Sequence, residues 1–307
     1  MIYIKSTWQI QYAMNIDVLS SHRKQEPESG VLYMVGTPIG NLDDISIRAS
    51  NILNKVSCIA CEDTRTTKKL LQHLNIRNKL ISFHKYSSKA KLDFLISELK
   101  KGLSIALVSE AGMPSISDPG ANLVREVREN DLDVICIPGP CAAITALVSS
   151  GIDSSRFAFY GFIPKVSKVR NNLLEEISES TMTSIIYESP KRILKLLHDI
   201  KILCGEDRDI VVQKELTKRY EQHFGFNINP TIETFKEAEP RGEFTVIITG
   251  KKKENKEDEF LEKSLKKDLL ELIEAGLSHL AASNYLAKKS GKSKNYIYKL
   301  ILKNNLQ

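Results

Sequence analysis

Residues 31–42 read VLYMVGTPIGNL, and the reading of the whole chain turns on them. Residues 31–36 are an uninterrupted apolar run that stops at a glycine. A run without polar alternation suits a strand covered on both faces rather than one with a wet side. Thr37, Pro38, Ile39, Gly40 and Asn41 then make a turn. Pro38 sets φ there, and the glycines admit close approach of backbone. A helical period follows through Ile45, Ile47, Ala49, Ile52 and Leu53. Strand, glycine turn and helix together make the first half of a βαβ unit.

Working outward, residues 56–60, 80–83, 105–108 and 134–137 repeat the strand signal. Residues 66–74, 89–101, 122–130 and 142–149 carry helical patterns between or after them. Alternation of this kind predicts an open, largely parallel sheet. A second unit begins near Arg156, with strands at 157–163, 183–187, 210–214 and 244–249 and helices near 168–178 and 191–203. Its order predicts a mixed sheet. Residues 251–263 (KKKENKEDEFLEK) are poor in apolar side chains and read as a linker or a solvated helix start. Helical segments at 265–274, 281–288 and 294–303 close the chain. The expected division is an extension at 1–30, α/β domains at 31–152 and 153–250, a linker at 251–263 and a helical module at 264–307. For the extension, disorder or a true start at Met14 is expected; it holds Trp8 and scattered charges but no apolar core of a secretory signal.

The 307 residues carry a net charge of +6. Residues 275–307 hold six lysines and no Asp, Glu or Arg, so the rest of the chain is neutral overall. The positive charge therefore belongs to the helical module, not to the α/β body. Five scattered cysteines give no disulfide framework and point to a reducing cytoplasm. Cys58-x-x-Cys61 has no second pair and no neighbouring histidine, so it reads as two strand residues. The histidines lack metal spacing, and no metal is expected. No apolar run reaches the roughly 18 residues of a membrane helix. Neither GxxxxGK[ST] nor GxSxG occurs, which removes the usual marks of phosphate cradles and serine hydrolases.

Chemistry is expected in the loops beyond the strand ends. Residues 36–42 are one. Residues 109–120 (SEAGMPSISDPG) are another, long for a strand-to-helix connection unless they bind something; the plain alternative makes Asp118 the cap of the next helix. Residues 138–143 (PGPCAA) open a helix of small residues whose free N–H groups can meet a ligand. Glu62-Asp63-Thr64-Arg65, Tyr187-Glu188-Ser189-Pro190 and Lys214-Glu215-Leu216-Thr217 also follow strands. Asp63 or Thr64 in the first of these is equally readable as a helix cap.

In order and spacing these segments resemble the family that 2′-O-methylates a cytidine of 16S ribosomal RNA in the small subunit's decoding region, within the tetrapyrrole-methylase superfamily. Glu215-Leu216-Thr217-Lys218 and Arg241-Gly242-Glu243 extend the resemblance into the second unit, and it runs from about residue 31 onward. The chain departs from the pattern at Glu110 and Met113, where Asp and Thr are commoner. The resemblance implies a two-domain α/β tetrapyrrole-methylase-like fold (class III methyltransferase) with a small C-terminal helical module, a homodimer, and S-adenosylmethionine in the cleft. It implies that the cofactor is surrounded by Gly36, Thr37, Pro38, Gly40, Ser109, Gly112, Met113, Pro114, Ile116, Pro138, Gly139, Pro140, Cys141, Ala142, Tyr187, Leu216 and Gly242. A sulfonium cofactor carries no phosphate, in keeping with the missing phosphate loop.

The attacking ribose hydroxyl is a weak acid and gains from a base or a nearby cation. Asp63, Glu188 and Glu215 are the candidate bases, with Arg65 or Lys214 to orient phosphate or stabilise the alkoxide; each is equally readable as a cap or a structural ion pair. Arg65, Lys288, Lys289, Lys292, Lys294, Tyr296 and Lys299 are the candidate RNA contacts, lysines for phosphates and aromatics for stacking; a solvated helix face with core tyrosines is the plain alternative. The expected partner is 16S ribosomal RNA in the small subunit, with no DNA and no membrane. Two rival functions remain open: a tetrapyrrole (precorrin or uroporphyrinogen) C-methyltransferase, which needs no basic tail, and a non-catalytic RNA-binding assembly factor, which transfers no methyl group.

Overall fold

The apolar run at 31–36 forms strand β1 (Leu32–Val35), buried at every position. The computed structural model describes residues 26–84, 86–237, 239–252, 256–294 and 297, and their side chains except at 256–262. Beside β1 lie β2 (Cys58–Cys61), β3 (Leu80–Ser82), β4 (Ile105–Val108) and β5 (Val134–Ile137), in the order β3-β2-β4-β1-β5. Every pairing in this sheet is parallel.

Successive side chains leave a strand on opposite faces, and here both faces are covered. Tyr33, Ile59 and Ala106 pack with Ile52 and Leu53 of α1 (Ile47–Lys55) and Leu71 of α2 (Thr64–His73). Leu32, Ala60 and Leu107 pack with Leu95 and Leu99 of α3 (Lys89–Lys100) and Leu123 and Val127 of α4 (Ala121–Glu129). Double coverage explains the unbroken apolar runs. It also separates the two cysteines of the CxxC pair: Cys58 joins one core face and Cys61 the other, and burial pushes both thiols up. Most important, the adjacent strands β1 and β4 send their following helices to opposite faces. A crevice opens beyond their carboxyl ends, the position where ligands sit in open α/β sheets.

The second sheet runs β6 (Phe157–Phe162), β7 (Thr183–Glu188), β10 (Phe244–Ile248), β8 (Ile210–Lys214), β9 (Gln222–Phe226). Only β6 and β7 are parallel neighbours, so the sheet is mixed. One face carries α6 (Ser167–Glu179), α7 (Pro190–Cys204) and α8 (Ile228–Glu237). The other face receives α5 (Ala142–Ser150), which follows β5 of the first sheet. Ala143, Ala146 and Leu147 pack on Ile185, Val211 and Ile247, and the fully buried Gln213 donates from Nε2 to the Ala146 carbonyl at 3.0 Å. The small side chains of α5 permit that close approach, and the helix joins the two sheets.

Both sheets belong to one compact unit ending at Lys251; a second unit begins at Lys252. The second unit holds α9 (Lys256–Glu274) and α10 (His279–Ser290), with Leu265, Leu269, Ala282, Leu286 and Ile297 as its own core. Ser278 caps α10 by accepting from the Ala281 N–H, and Gly291 ends it at φ 69°.

Two elements carry no clear signal in the sequence. Strand β9 is an edge strand exposed at four of five positions, so it shows no apolar run. Helix α8 starts among Asn227, Asn229 and Pro230, residues that favour turns. The helix that reads as starting near Leu265 begins instead at Lys256. Upstream of β1, the Gly30 N–H donates to Gly102 and the Glu28 N–H to Tyr33 Oη, so the backbone is docked from Glu28 on. Trp8, Met14, Tyr296 and Lys299 lie outside the described residues. Among the described residues, no helix is long and apolar enough to cross a membrane.

Candidate active site

The loops after β1, β4 and β5 meet at the crevice. Thr37 and Gly112 exchange backbone hydrogen bonds of 2.9 and 3.1 Å. Gly36 and Gly139 touch back to back: a Cβ on Gly36 would lie 2.7 Å from the Gly139 Cα. Gly40 reaches the loop after β8, where a Cβ would lie 2.5 Å from Lys218 Cγ, and the Asn41 N–H donates to Thr217 Oγ1 at 3.0 Å. These glycines are required by close packing of loop on loop, not by a phosphate.

A cavity of about 410 Å³ opens where those loops face the second sheet. Gly112, Met113, Ile116, Cys141 and Ala142 line it from the first sheet, and Tyr187 and Gly242 from the second. The remaining cofactor candidates do not line it. Thr37, Pro38, Pro114 and Leu216 are buried in the packing around it, with Leu216 against α5. Gly36, Gly40, Pro138, Gly139 and Pro140 belong to the knitted loops. The Ser109 hydroxyl stays with its own loop, 3.3 Å from the Ala111 and Gly112 carbonyls. Tyr187 joins the two walls: its Oη accepts from the Ala143 N–H at the start of α5, 2.9 Å away, and burial pushes its phenol up. Phe162 lines the cavity too, placed there past an irregularity in β6 at Phe159/Gly161.

The carboxylates separate sharply. Asp63 caps α2: it accepts from the Arg65 N–H at 2.7 Å and from Arg65 Nη2 at 2.8 Å, and these bonds hold it at about 2. Arg65 itself is exposed. Burial pushes Glu215 up, but Lys218 Nζ at 2.9 Å and the Glu243 N–H at 3.0 Å outweigh it and hold the carboxyl below its ordinary value. Neither Asp63 nor Glu215 lines the cavity. Glu188 does, fully buried, with Oε1 accepting from the Ser189 N–H and from Arg192 Nε, each at 2.7 Å. Its Oε2 has no hydrogen-bond partner. Lys214 is turned to Gln222 at 3.1 Å.

Asp118 is the residue that sequence reasoning passed over. It is not the cap of α4; Gly120 holds that position with no side-chain bond. It lines the cavity, half-buried, and is pushed up to about 6 by burial and by the charges of Glu62 and Glu110, with a hydrogen bond to Ser109 pulling the other way. Glu62 is likewise pushed up by burial and by Glu110. Glu110, Asp118, Glu188 and Glu243 together give the cavity an acidic lining. Among the described residues no group of His, Cys, Asp or Glu is arranged to hold a metal ion.

In the second unit, Lys288, Lys289 and Lys294 are exposed and Lys292 is half-buried. Lys289 pairs with Asp268 at 3.0 Å.

The model of the tetrapyrrole (corrin/porphyrin) methylases matches residues 31–229. Ribosomal RNA small subunit methyltransferase I of Synechocystis sp. is 41% identical over 273 residues, covering 89% of this chain and 98% of that protein. The chain belongs to that methyltransferase family. The enzyme of the same name from Haemophilus influenzae is 44% identical over 272 residues, covering 88% of this chain and 95% of that protein. Among solved structures, a cobalt precorrin-4 methyltransferase superposes with a TM-score of 0.54 at 13% identity, covering 72% of this chain and 95% of the other. At that identity the likeness speaks for the fold alone. The cavity thus lies in a chain of a methyltransferase family.

Proposed function

We propose that this methyltransferase uses S-adenosylmethionine to 2′-O-methylate the ribose of a cytidine in 16S ribosomal RNA. The observation that carries the reading is the acidic, partly apolar cavity beyond the strand ends. Its volume of about 410 Å³ lies in the range of small-molecule sites. S-adenosylmethionine supplies an electrophilic methyl group on a sulfonium cation, and Glu110 and Glu188 make a wall suited to positive charge. Met113, Ile116 and Phe162 offer apolar surface for the adenosine. In-line transfer to a good leaving group depends chiefly on positioning, and oriented reactants reach effective molarities on the order of 10⁵–10⁸ M. The two relatives named for ribosomal RNA favour RNA over a tetrapyrrole as acceptor.

In this reading the exposed lysines of the second unit contact RNA phosphates, the enzyme works as a homodimer, and its place is the cytoplasm. The test is label transfer from S-adenosylmethionine to small subunits, naked 16S ribosomal RNA and a precorrin, offered in parallel. Label mapped to a ribose 2′-oxygen is the expected result. Label in the precorrin overturns the RNA reading, and label in neither leaves only RNA binding without transfer.

A further inference from the structure

Methyl transfer to a ribose gains from a group that removes the hydroxyl proton, and the carboxylates of this chain differ in their fitness for that task. Asp63 and Glu215 are engaged with Arg65 and Lys218. Glu188 is tied to Arg192, and Glu243 is exposed and paired with Lys218. Asp118 is held by no cation among its neighbours, faces the cavity, and does not serve the helix that follows it. We propose that Asp118 is the general base, taking the proton from the ribose hydroxyl that lies in the cavity. This rests on the function proposed above.

The step balances without another reactant. The hydroxyl oxygen forms its bond to the methyl carbon as the carbon–sulfur bond breaks. The electron pair of that bond stays on sulfur, which becomes a neutral thioether, and the proton goes to an Asp118 oxygen. The surroundings of Asp118 favour this use. Glu62 from the end of β2 and Glu110 in its own loop face it with like charge, and Tyr187 from β7 faces it as a neutral phenol. Ser109 at the end of β4 hydrogen-bonds it; Glu62 is in turn faced by His84, and Arg65 lies toward Glu110. Burial and the two carboxylates raise its proton affinity to about 6, which makes a better base than an ordinary aspartate while leaving it ionised near neutrality.

The experiment measures single-turnover methylation of the RNA against pH, with donor affinity by calorimetry. Wild-type rates rise with pH through an acid limb near 6. Asp118→Asn is expected to lose roughly 10²–10⁴-fold in rate, to lose the limb, and to bind S-adenosylmethionine with affinity within about threefold of wild type. Asp118→Glu recovers part of the rate. Two further variants move the limb in opposite directions: Glu62→Gln downward, by removing a like charge, and Ser109→Ala upward, by removing the bond that steadies the charge. These shifts are readable even if Asp118→Asn does not fold. An Asp118→Asn enzyme with near-wild-type rate, one that loses donor affinity, or a limb unmoved in both neighbour variants overturns the proposal. Failure of wild type itself to methylate RNA defeats the function reading instead.

Discussion

Two loops serve the cavity, and they hold strained backbone in opposite ways. In residues 109–120, Ser115 and Ser117 sit at φ 73° and 64°; after β8, Glu215 and Thr217 sit at φ 54° and 64°. Such conformations cost about 1–3 kcal/mol each at non-glycine residues, so their surroundings must enforce them. The second loop does so with bonds. Glu215 accepts from Lys218 and the Glu243 N–H, the Thr217 N–H donates to Glu221 Oε2 at 2.7 Å, and Thr217 Oγ1 accepts from Asn41. In the first loop Ser115 Oγ is buried without a partner, and Asp118 is left among like charges. The satisfied strained loop stands behind the cavity, whereas the loop with unsatisfied polar groups is the one that lines it.

The largest effect tests the brace. Gly242 sits at φ 90°, and a Cβ there would lie 2.6 Å from Glu215 Cδ. Gly242→Val should cost about 3 kcal/mol or more, a fall in Tm of roughly 5–10 °C. A wild-type melting curve would break the comparison at that end.

Asp118→Asn tests the other loop through stability. The folded carboxyl titrates near 6, above its value in the unfolded chain of about 4. The folded state therefore binds more protons between those values, and wild type loses stability as pH rises through the window. The variant escapes the loss. It should match wild type near pH 4 and exceed it at pH 7 by on the order of 1–2 kcal/mol, after discounting for solvent screening. An advantage that grew toward acid would mark Asp118 as a brace after all.

Smaller effects sharpen the boundary between the walls. Tyr187→Phe removes the acceptor of the Ala143 N–H and should cost about 1 kcal/mol in a denaturant titration. Arg65→Ala should leave the melting temperature unchanged, because the pair with Asp63 is exposed at the arginine, and should raise the KM for RNA if the loop contacts phosphate.

The strands of both sheets, apart from β9, are legible in the sequence as apolar runs, most plainly at β1, β2, β4 and β10, which are buried at every position. The glycine and proline loops are legible for a related reason: backbone demands are written in local residue choice. Helix α5 reads as small-residue, yet nothing local says that it crosses to the second sheet; Val211 and Ile247 decide that from far along the chain. The candidate carboxylates show the limit most clearly. Asp63, Glu215 and Asp118 are alike as letters between a strand and a helix or turn. Arg65, two residues away, is visible beside Asp63. The Glu243 N–H that claims Glu215 and the Glu62 charge that loads Asp118 come from distant segments.

Local chemistry thus specifies the α/β class, the loops at the strand ends, and the confinement of net positive charge to the last residues. Proton affinity is different. It depends on burial and on charges a few ångströms away in space, and folding alone brings those together. Which carboxylate is pushed up to about 6 follows for that reason from the packing around Asp118 and not from the order of residues along the chain.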